Sequence, residues 1–356
     1  MEIKTFIGRK LNHINGILRV QVELRKPLKK VENLKFSYEY YNAPQNTLDF
    51  IAKRYVQYPL SCYGISKRSG DDTIFNISYQ NLADLVHFLD LNKTILTCAD
   101  IYTFITRRNI DYPFFIQKYW LSGFKRCRYF ITISEFSKEE MVSKLGISEN
   151  RIKVIKCAIN REIFKPINED KISMIKPLYP DYKKVLYVGT EARRKNYPTL
   201  LKAFYLLKKS YKKIKLIRIG SPKYFGLIKK LNLEKDIIYI SNIDNKRLNE
   251  IYNLCDLLVF PSKYEGFGLP GLEAVACGLP VICSDTPIFK EIYQNFPIYF
   301  PADDYRTLAR LILETIDNET KKKDIIRNGL EVLKQYSWEK SAKLYYQFCK
   351  KILDNL

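Results

Sequence analysis

Five short apolar runs in the second half of the chain, at residues 184–188, 216–219, 237–240, 257–260 and 280–283, are separated by segments with helical spacing. Runs this brief suit strands buried on both faces, and strands that alternate with helices assemble into a parallel sheet through crossover connections. The first half repeats the pattern more faintly. Residues 1–7 read as a strand, Asn15 and Gly16 precede a helical spacing at Ile17, Val20 and Leu24, and residues 82–87, 94–98 and 129–133 are further short apolar runs. Ser137 and Glu140 read as a capping box that opens a helix. At 356 residues the chain exceeds one compact core, and its 46% hydrophobic content fills two. The expected organisation is a domain over 1–165, a linker over 166–182 kept irregular by Pro166, Pro177 and Pro180, and a domain over 183–339. A C-terminal helix of about 340–356 is expected to pack back on the first domain.

The segment Glu265-Gly-Phe-Gly-Leu-Pro-Gly-Leu-Glu273 follows one of these strands. Gly266, Gly268 and Gly271 let the backbone approach a ligand closely, and Pro270 presets the first helical turn. Amides at such a helix start, with the helix dipole, favour phosphate, while Glu265 in the turn and Glu273 in the first helical turn can accept from sugar hydroxyls. An ordinary capped helix would use the same residue types.

A second candidate site is Val188-Gly-Thr-Glu-Ala-Arg-Arg-Lys-Asn196, a strand end that runs into a cationic loop and then a helix through Pro198, Leu201, Phe204 and Leu207. Ligands of open α/β sheets bind at the carboxyl ends of strands, so Arg194 and Lys195 are placed to neutralise a diphosphate. A solvated basic loop is the plainer reading.

The net charge of +22 calls for nucleic acid, anionic lipid or a phosphorylated substrate as partner, or reflects a charged surface of general purpose. No zinc finger, helix-turn-helix or aromatic RNA-binding motif accompanies it, which makes nucleic acid an unlikely partner. The eight cysteines form no C-x-x-C pair and read as buried thiols, and two histidines cannot build a histidine-rich metal centre. No metal is expected. No run of about 18 apolar residues exists and the first residues lack a signal peptide's apolar core, so the expected location is the cytoplasm. Phe114, Phe115, Tyr119, Trp120 and Phe124 interleave with Lys118, Lys125 and Arg126. Such a helix packs inward as core, or lies on an anionic membrane at the inner membrane face; both readings stand at this point.

Residues 185–338 resemble the retaining, nucleotide-sugar-dependent glycosyltransferases of family 4, whose GT-B fold has two Rossmann-like domains with parallel sheets facing across a cleft. The resemblance rests on motifs in order. Tyr187-Val-Gly-Thr190 with Arg194-Lys-Asn196 resembles the family's diphosphate loop, and residues 260–274 resemble its signature of two glutamates eight positions apart. Cys277-Gly-Leu-Pro-Val281, Phe289-Lys-Glu291, Pro301-Ala-Asp303 and Tyr336-Ser-Trp-Glu339 resemble downstream landmarks. Residues 131–137 and 155–166 resemble the end of the first domain, so most of 80–345 is covered.

The resemblance implies a hexosyltransferase that takes a nucleotide-diphosphate sugar as co-substrate, uses no cofactor or metal, and transfers to a glycan, lipid-linked or other hydroxyl acceptor. It implies that Glu265, with Gly266, Phe267, Gly268 and Leu269, holds the transferred sugar and that Glu273 holds the ribose. Arg194 and Lys195 become the diphosphate clamp, and Gly16 belongs to the first-domain loop that faces the donor phosphates. Two departures stand out. Relatives often carry histidine-aspartate where this chain has Ala99-Asp100, and Thr190 replaces an arginine of some relatives. Asp100, His13 and His87 are therefore candidate contacts to sugar or acceptor, although His87 in an apolar run also reads as a core histidine. A second reading follows from Ala99: a glycan- or nucleotide-binding protein of the same fold with little or no turnover.

Overall fold

The computed structural model describes residues 1–9, 16–106, 114–167, 180–190, 192–220 and 224–356. His13, most of the expected linker and Glu191 lie outside them. The chain divides into two compact units, one of Met1–Cys157 with Ser337–Leu356 and one of Ala158–Tyr336.

The first unit is built on β1 (Glu2–Arg9), β2 (Lys35–Tyr41), β3 (Thr73–Ile77), β4 (Thr94–Cys98), β5 (Tyr129–Thr132) and β6 (Ile152–Val154). They lie in the order β2-β1-β3-β4-β5-β6, and every pairing is parallel. β3 and β4 are buried along their whole length, which is why their sequences are continuously apolar or small instead of alternating. The C-terminal helix Trp338–Asp354 belongs to this unit, capped by Ser337 and pinned where Ser341 Oγ donates to the Lys156 carbonyl.

Three expectations are corrected here. Residues 82–87 are not a strand; they belong to the 3-10 helix Gln80–Phe88, whose Leu82, Ala83, Leu85 and Val86 are all buried. A short apolar run buried on every side carries no period that separates strand from helix. Ser137 does not cap its helix. The helix spans Glu135–Leu145, Ser134 Oγ accepts from the Ser137 amide, and Ser137 Oγ is spent on the Ala99 carbonyl at 3.1 Å. Glu273 lies beyond the first turn of the Leu269–Ala276 helix, which holds no acid in that turn.

The second unit is built on β7 (Lys183–Val188), β8 (Ile214–Ile219), β9 (Ile237–Ile240), β10 (Leu257–Phe260), β11 (Val281–Ser284) and β12 (Ile298–Phe300). Its order is β12-β11-β10-β7-β8-β9, again parallel throughout. The chain starts in the middle of this sheet, fills one side through β9 and then crosses to the other side at β10. β7 and β10 are therefore the neighbours at which strand order reverses, the position where open α/β sheets leave a crevice beyond their carboxyl ends. The Arg194–Lys195 loop leaves β7 and the Glu265 turn leaves β10, so topology alone brings the two sequence motifs to one edge.

Candidate active site

The loop after β7 closes with the 3-10 turn Arg193–Lys195 and passes through Asn196 at φ +53°, in the left-handed region that asparagine tolerates better than most residues. Asn196 is buried. Its Nδ2 donates to the Ala302 carbonyl at 2.7 Å and its Oδ1 accepts from Thr199 Oγ1 at 2.9 Å, which fixes the entry to the helix Tyr197–Ser210. The Arg193–Asn196 segment is thus anchored through Asn196.

The β10 turn meets this loop through reciprocal contacts. The Lys263 amide donates to the Arg194 carbonyl at 2.7 Å, and Arg194 Nη1 donates to the Tyr264 carbonyl at 3.1 Å. Glu265 then accepts from Lys195 Nζ at 2.5 Å and from Arg194 Nη1 at 3.3 Å. The residues that sequence reading placed in two motifs, about seventy positions apart, form one cluster. Its carboxylate is only 8% exposed, against 14% for the Lys195 side chain and 23% for Arg194, so the acid sits beneath two cations that still reach solvent. Burial on its own raises the Glu265 carboxyl, but Lys195 first and Arg194 second outweigh it and hold the group below its ordinary value of 4.5. An ionised carboxylate accepts hydrogen bonds and donates none. Glu265 can therefore hold sugar hydroxyls or a developing positive charge, and it is not set up as a general acid.

A depressed pKa in the folded state contributes stability that is complete above the unfolded value near 4.5 and is lost as pH falls through the lower folded value. The melting temperature of the wild type is therefore expected to fall more steeply below about pH 4.5 than that of Glu265→Gln. Parallel acid limbs in the two melting curves would contradict the ion cluster.

Gly268 ends the turn at φ +100° and precedes the helix Leu269–Ala276. A Cβ there would lie 2.6 Å from the Tyr293 hydroxyl, and one on Gly271 would lie 2.4 Å from the Tyr293 hydroxyl and from the ring carbon that bears it. The two glycines are needed because Tyr293 fills the space a side chain would take. Its hydroxyl donates to the Gly268 carbonyl and accepts from the Gly271 amide, the latter at 3.2 Å. This corrects the expectation for the helix start: the Gly271 amide is occupied internally. Phe289 stacks on Tyr293 at 5.0 Å and Phe260 packs on Phe289 at 5.0 Å, forming an aromatic floor under the turn. Phe267 is buried and meets Tyr336 edge-on at 5.6 Å, so its side chain is structural and any ligand contact falls to its backbone.

Glu273 is buried and accepts from Tyr252 Oη at 2.9 Å, which orients the carboxylate. Tyr252 and Tyr293 are the site-shaping residues that sequence reading missed. Each is reached only through the fold, across 21 and 22 positions respectively. Arg218, fully buried on β8, lies over the rings of Tyr187 and Tyr197 at 5.0 and 4.2 Å.

The remaining candidates lie in the first unit. Gly16 opens the helix Gly16–Arg25, and His13 lies outside the described residues. Asp100 is buried and its Oδ1 accepts from the Tyr102 amide at 3.0 Å, at the start of the short helix Tyr102–Ile105. His87 is half-buried, pairs through Nε2 with Ser122 Oγ at 2.9 Å and stacks on Tyr119. Its pKa lies below the ordinary histidine value, first through partial burial and then through the charge of Arg126. It belongs to a surface packing cluster. In the Phe114–Arg126 helix Trp120 and Phe124 pack inward as core, whereas Phe114 and Phe115 are exposed, at 70% and 71%. Among the described residues no group of three or more histidine, cysteine, aspartate or glutamate side chains is arranged to hold a metal ion, and no helix is long and apolar enough to cross a membrane. All eight cysteines are free thiols.

Residues 168–332 match the family model described as glycosyl transferases group 1. The O-antigen chain mannosyltransferase B of Escherichia coli is 26% identical over 262 residues, covering 72% of this chain and 69% of that protein. The serotype-specific mannosyltransferase WbdA of Escherichia coli is 26% identical over 278 residues, covering 74% of this chain and 34% of WbdA; the match spans about a third of that longer protein. Among solved structures, that of Anabaena Alr3699/HepE in complex with UDP and glucose superposes with a TM-score of 0.78 at 14% identity, covering 99% of this chain and 100% of that one. The fold is GT-B, with two Rossmann-like α/β units, and the second unit carries a group 1 glycosyl transferase domain. The enzyme class is hexosyltransferase.

Proposed function

We propose that this chain transfers a sugar from a nucleotide-diphosphate sugar to a hydroxyl acceptor, with retention at the anomeric carbon and without a metal ion. The observation that carries this reading is the cluster of Glu265 with Lys195 and Arg194 at the switch point of the second sheet. Two cations that still reach solvent above a buried carboxylate, at the carboxyl edge of the sheet, suit an incoming diphosphate. When the diphosphate takes the cations, Glu265 is released to accept from the sugar, so donor binding exchanges one set of ionic contacts for another. Glu273, held by Tyr252, is the acceptor for the ribose hydroxyls. That UDP and glucose are present in the Anabaena structure supports a donor of this class for the present chain.

In the transfer step the acceptor oxygen forms a bond to the anomeric carbon while the bond from that carbon to the phosphate oxygen breaks. The acceptor's proton passes to the departing phosphate, which leaves on the same face, so no protein base is required. Lys195 and Arg194 stabilise the negative charge that grows on the leaving group. Nuclear magnetic resonance of the products, with and without a chelator, tests this directly. A product with the donor's anomeric configuration, formed equally in chelator, is expected. An inverted product would refute retention, loss of activity in chelator would refute the metal-free mechanism, and binding of donors with no consumption of any would favour the reading that Ala99 marks a non-catalytic binding protein.

A further inference from the structure

Residues 47–68 form one continuous helical run, an α-helix over Thr47–Ala52, a π-helical segment over Lys53–Gln57 and an α-helix over Tyr58–Arg68. Asn46 caps its start by accepting from the Asp49 amide at 2.9 Å. The π segment has a local cause. Pro59 has no N–H to give and its ring crowds the carbonyl four residues back, so the preceding turn widens.

Widening by one residue changes which side chains share a face. Leu48, Ile51, Val56, Leu60 and Tyr63 are all exposed, at 79%, 48%, 52%, 60% and 50%. In an uninterrupted α-helix the first two would point about 100° away from the last three, because each residue advances about 100°. With the extra residue absorbed by the π segment, all five fall within roughly 80° of one another. The opposite side is anchored: Arg54 forms two bonds to Asp84 at 2.6 and 2.8 Å, and Tyr58 and Cys62 are core. The run is therefore a fixed helix with a continuous apolar stripe facing solvent, the opposite of what a soluble surface helix presents.

The unpaired charge beside the stripe is basic: Lys53 pairs with the run's single acid, Asp49, at 2.7 Å, while Lys67 and Arg68 are exposed at its end, and Lys67 Nζ lies 5.6 Å from the Tyr63 ring, its stem lying along the apolar face. The helix Phe114–Arg126, which packs on the same 3-10 segment through Tyr119 and His87, has no acid at all, exposes Phe114 and Phe115 in its first turn and places Lys118 over Phe114 at 4.7 Å. A partner protein with an acidic groove would match the charge, but an apolar stripe bordered by lysine and arginine on a chain of net charge +22 fits most closely a surface that is apolar inside and anionic at its rim.

We propose that the outward face of the 47–68 run, joined by the first turn of the Phe114–Arg126 helix, is a docking surface for an anionic lipid bilayer. The face inserts its aliphatic side chains at the level of the headgroups while the basic side chains reach the phosphates. The proposal goes beyond sugar transfer and does not depend on which donor or acceptor the enzyme uses.

Sedimentation of the whole chain with vesicles tests it. At low salt the wild type is expected to pellet with vesicles of phosphatidylglycerol and phosphatidylcholine and to bind pure phosphatidylcholine far less. Leu48→Ser with Leu60→Ser, two exposed sites on either side of the π segment, is expected to weaken partitioning about 10-fold or more with an unchanged melting curve. Phe114→Ser with Phe115→Ser is a second variant with the same expected direction, and Leu313→Ser, exposed in the other unit, is the control that should leave binding unchanged. A wild type that stays in the supernatant overturns the proposal. So does a Leu48/Leu60 variant that pellets like the wild type, since the apolar face would then be idle. A dimer lost in that variant, with no vesicle binding by the wild type, would assign the face to a second copy of the chain instead.

Discussion

Alanine at Lys195 or at Glu265 is expected to lower turnover about 100-fold or more while the fold survives. The two residues sit in one ion cluster, so their losses should not add. Lys195→Ala leaves Glu265 its ion pair with Arg194 and, in the proposed reaction, removes one of two charges that face the leaving diphosphate. Glu265→Ala leaves two cations beside the sugar with no carboxylate to orient it. Once either partner is gone the other has lost its main contact, and the double variant should fall close to the worse single one. Steady-state kinetics with a saturating donor would check this, and unchanged kinetics in both single variants would defeat the assignment. Survival of the fold is expected because the loop that carries Lys195 is secured independently, through Asn196 to Ala302 and through the Lys263 amide to the Arg194 carbonyl.

Arg54→Met should have the largest effect on stability. Asp84 is fully buried and meets Arg54 through two side-chain bonds, and Arg54 Nη2 also donates to the Asn81 carbonyl at 3.1 Å. Burial alone would disfavour the guanidinium charge, but Asp84 reverses this and holds its pKa above the ordinary arginine value. Removing the arginine strands a carboxylate in the core, at a cost of about 3–5 kcal/mol. For a unit of this size that corresponds to a fall of roughly 10 °C in melting temperature. Calorimetry would measure it, and the double change Arg54→Met with Asp84→Leu should recover part of the loss because an apolar pair needs no compensation. A melting temperature within a degree or so of wild type for Arg54→Met would show that water reaches Asp84.

Most of the second unit was legible in the sequence for a physical reason. Its strands are short and buried on both faces, so each announces itself as a brief apolar run, and residues 237–240 and 257–260 coincide with β9 and β10. The two loops of the candidate site follow such runs directly, and the rule that ligands of open α/β sheets bind at strand carboxyl ends points to them. The first unit was harder to read. β2 is only half-buried, with tyrosines and charges that give no clear alternation, and it went unrecognised. The 47–68 run was also missed, because Pro59 argues against a helix interior and the π segment breaks the expected period of apolar residues. Ser134 and Ser137 both have the chemistry of a cap, and only the backbone at Ser134, with φ −150°, decides between them. Tyr293 and Tyr252 could not have been assigned from local pattern. Their hydroxyls act on residues in another element, and an apolar helix position looks the same whether its ring ends in a bond or in packing.

The two glycines that match Tyr293 show how the fold supports the chemistry. A turn that must bring backbone close to a ligand has to be held in place, and here the holding group occupies the room behind Gly268 and Gly271. The requirement for glycine arises from the protein side of the turn. The same economy appears at Glu265, where the cations assigned to the diphosphate also keep a buried acid ionised before any donor arrives.

Calorimetric titration with UDP- and GDP-linked sugars, against the wild type and Lys195→Ala, tests the central claim most directly. The account predicts saturable heat with at least one donor and an affinity about 10-fold or more weaker in the variant, because a charge-assisted contact to the diphosphate is lost. Heat that is absent for every donor, or an affinity that does not change when Lys195 is removed, would contradict it.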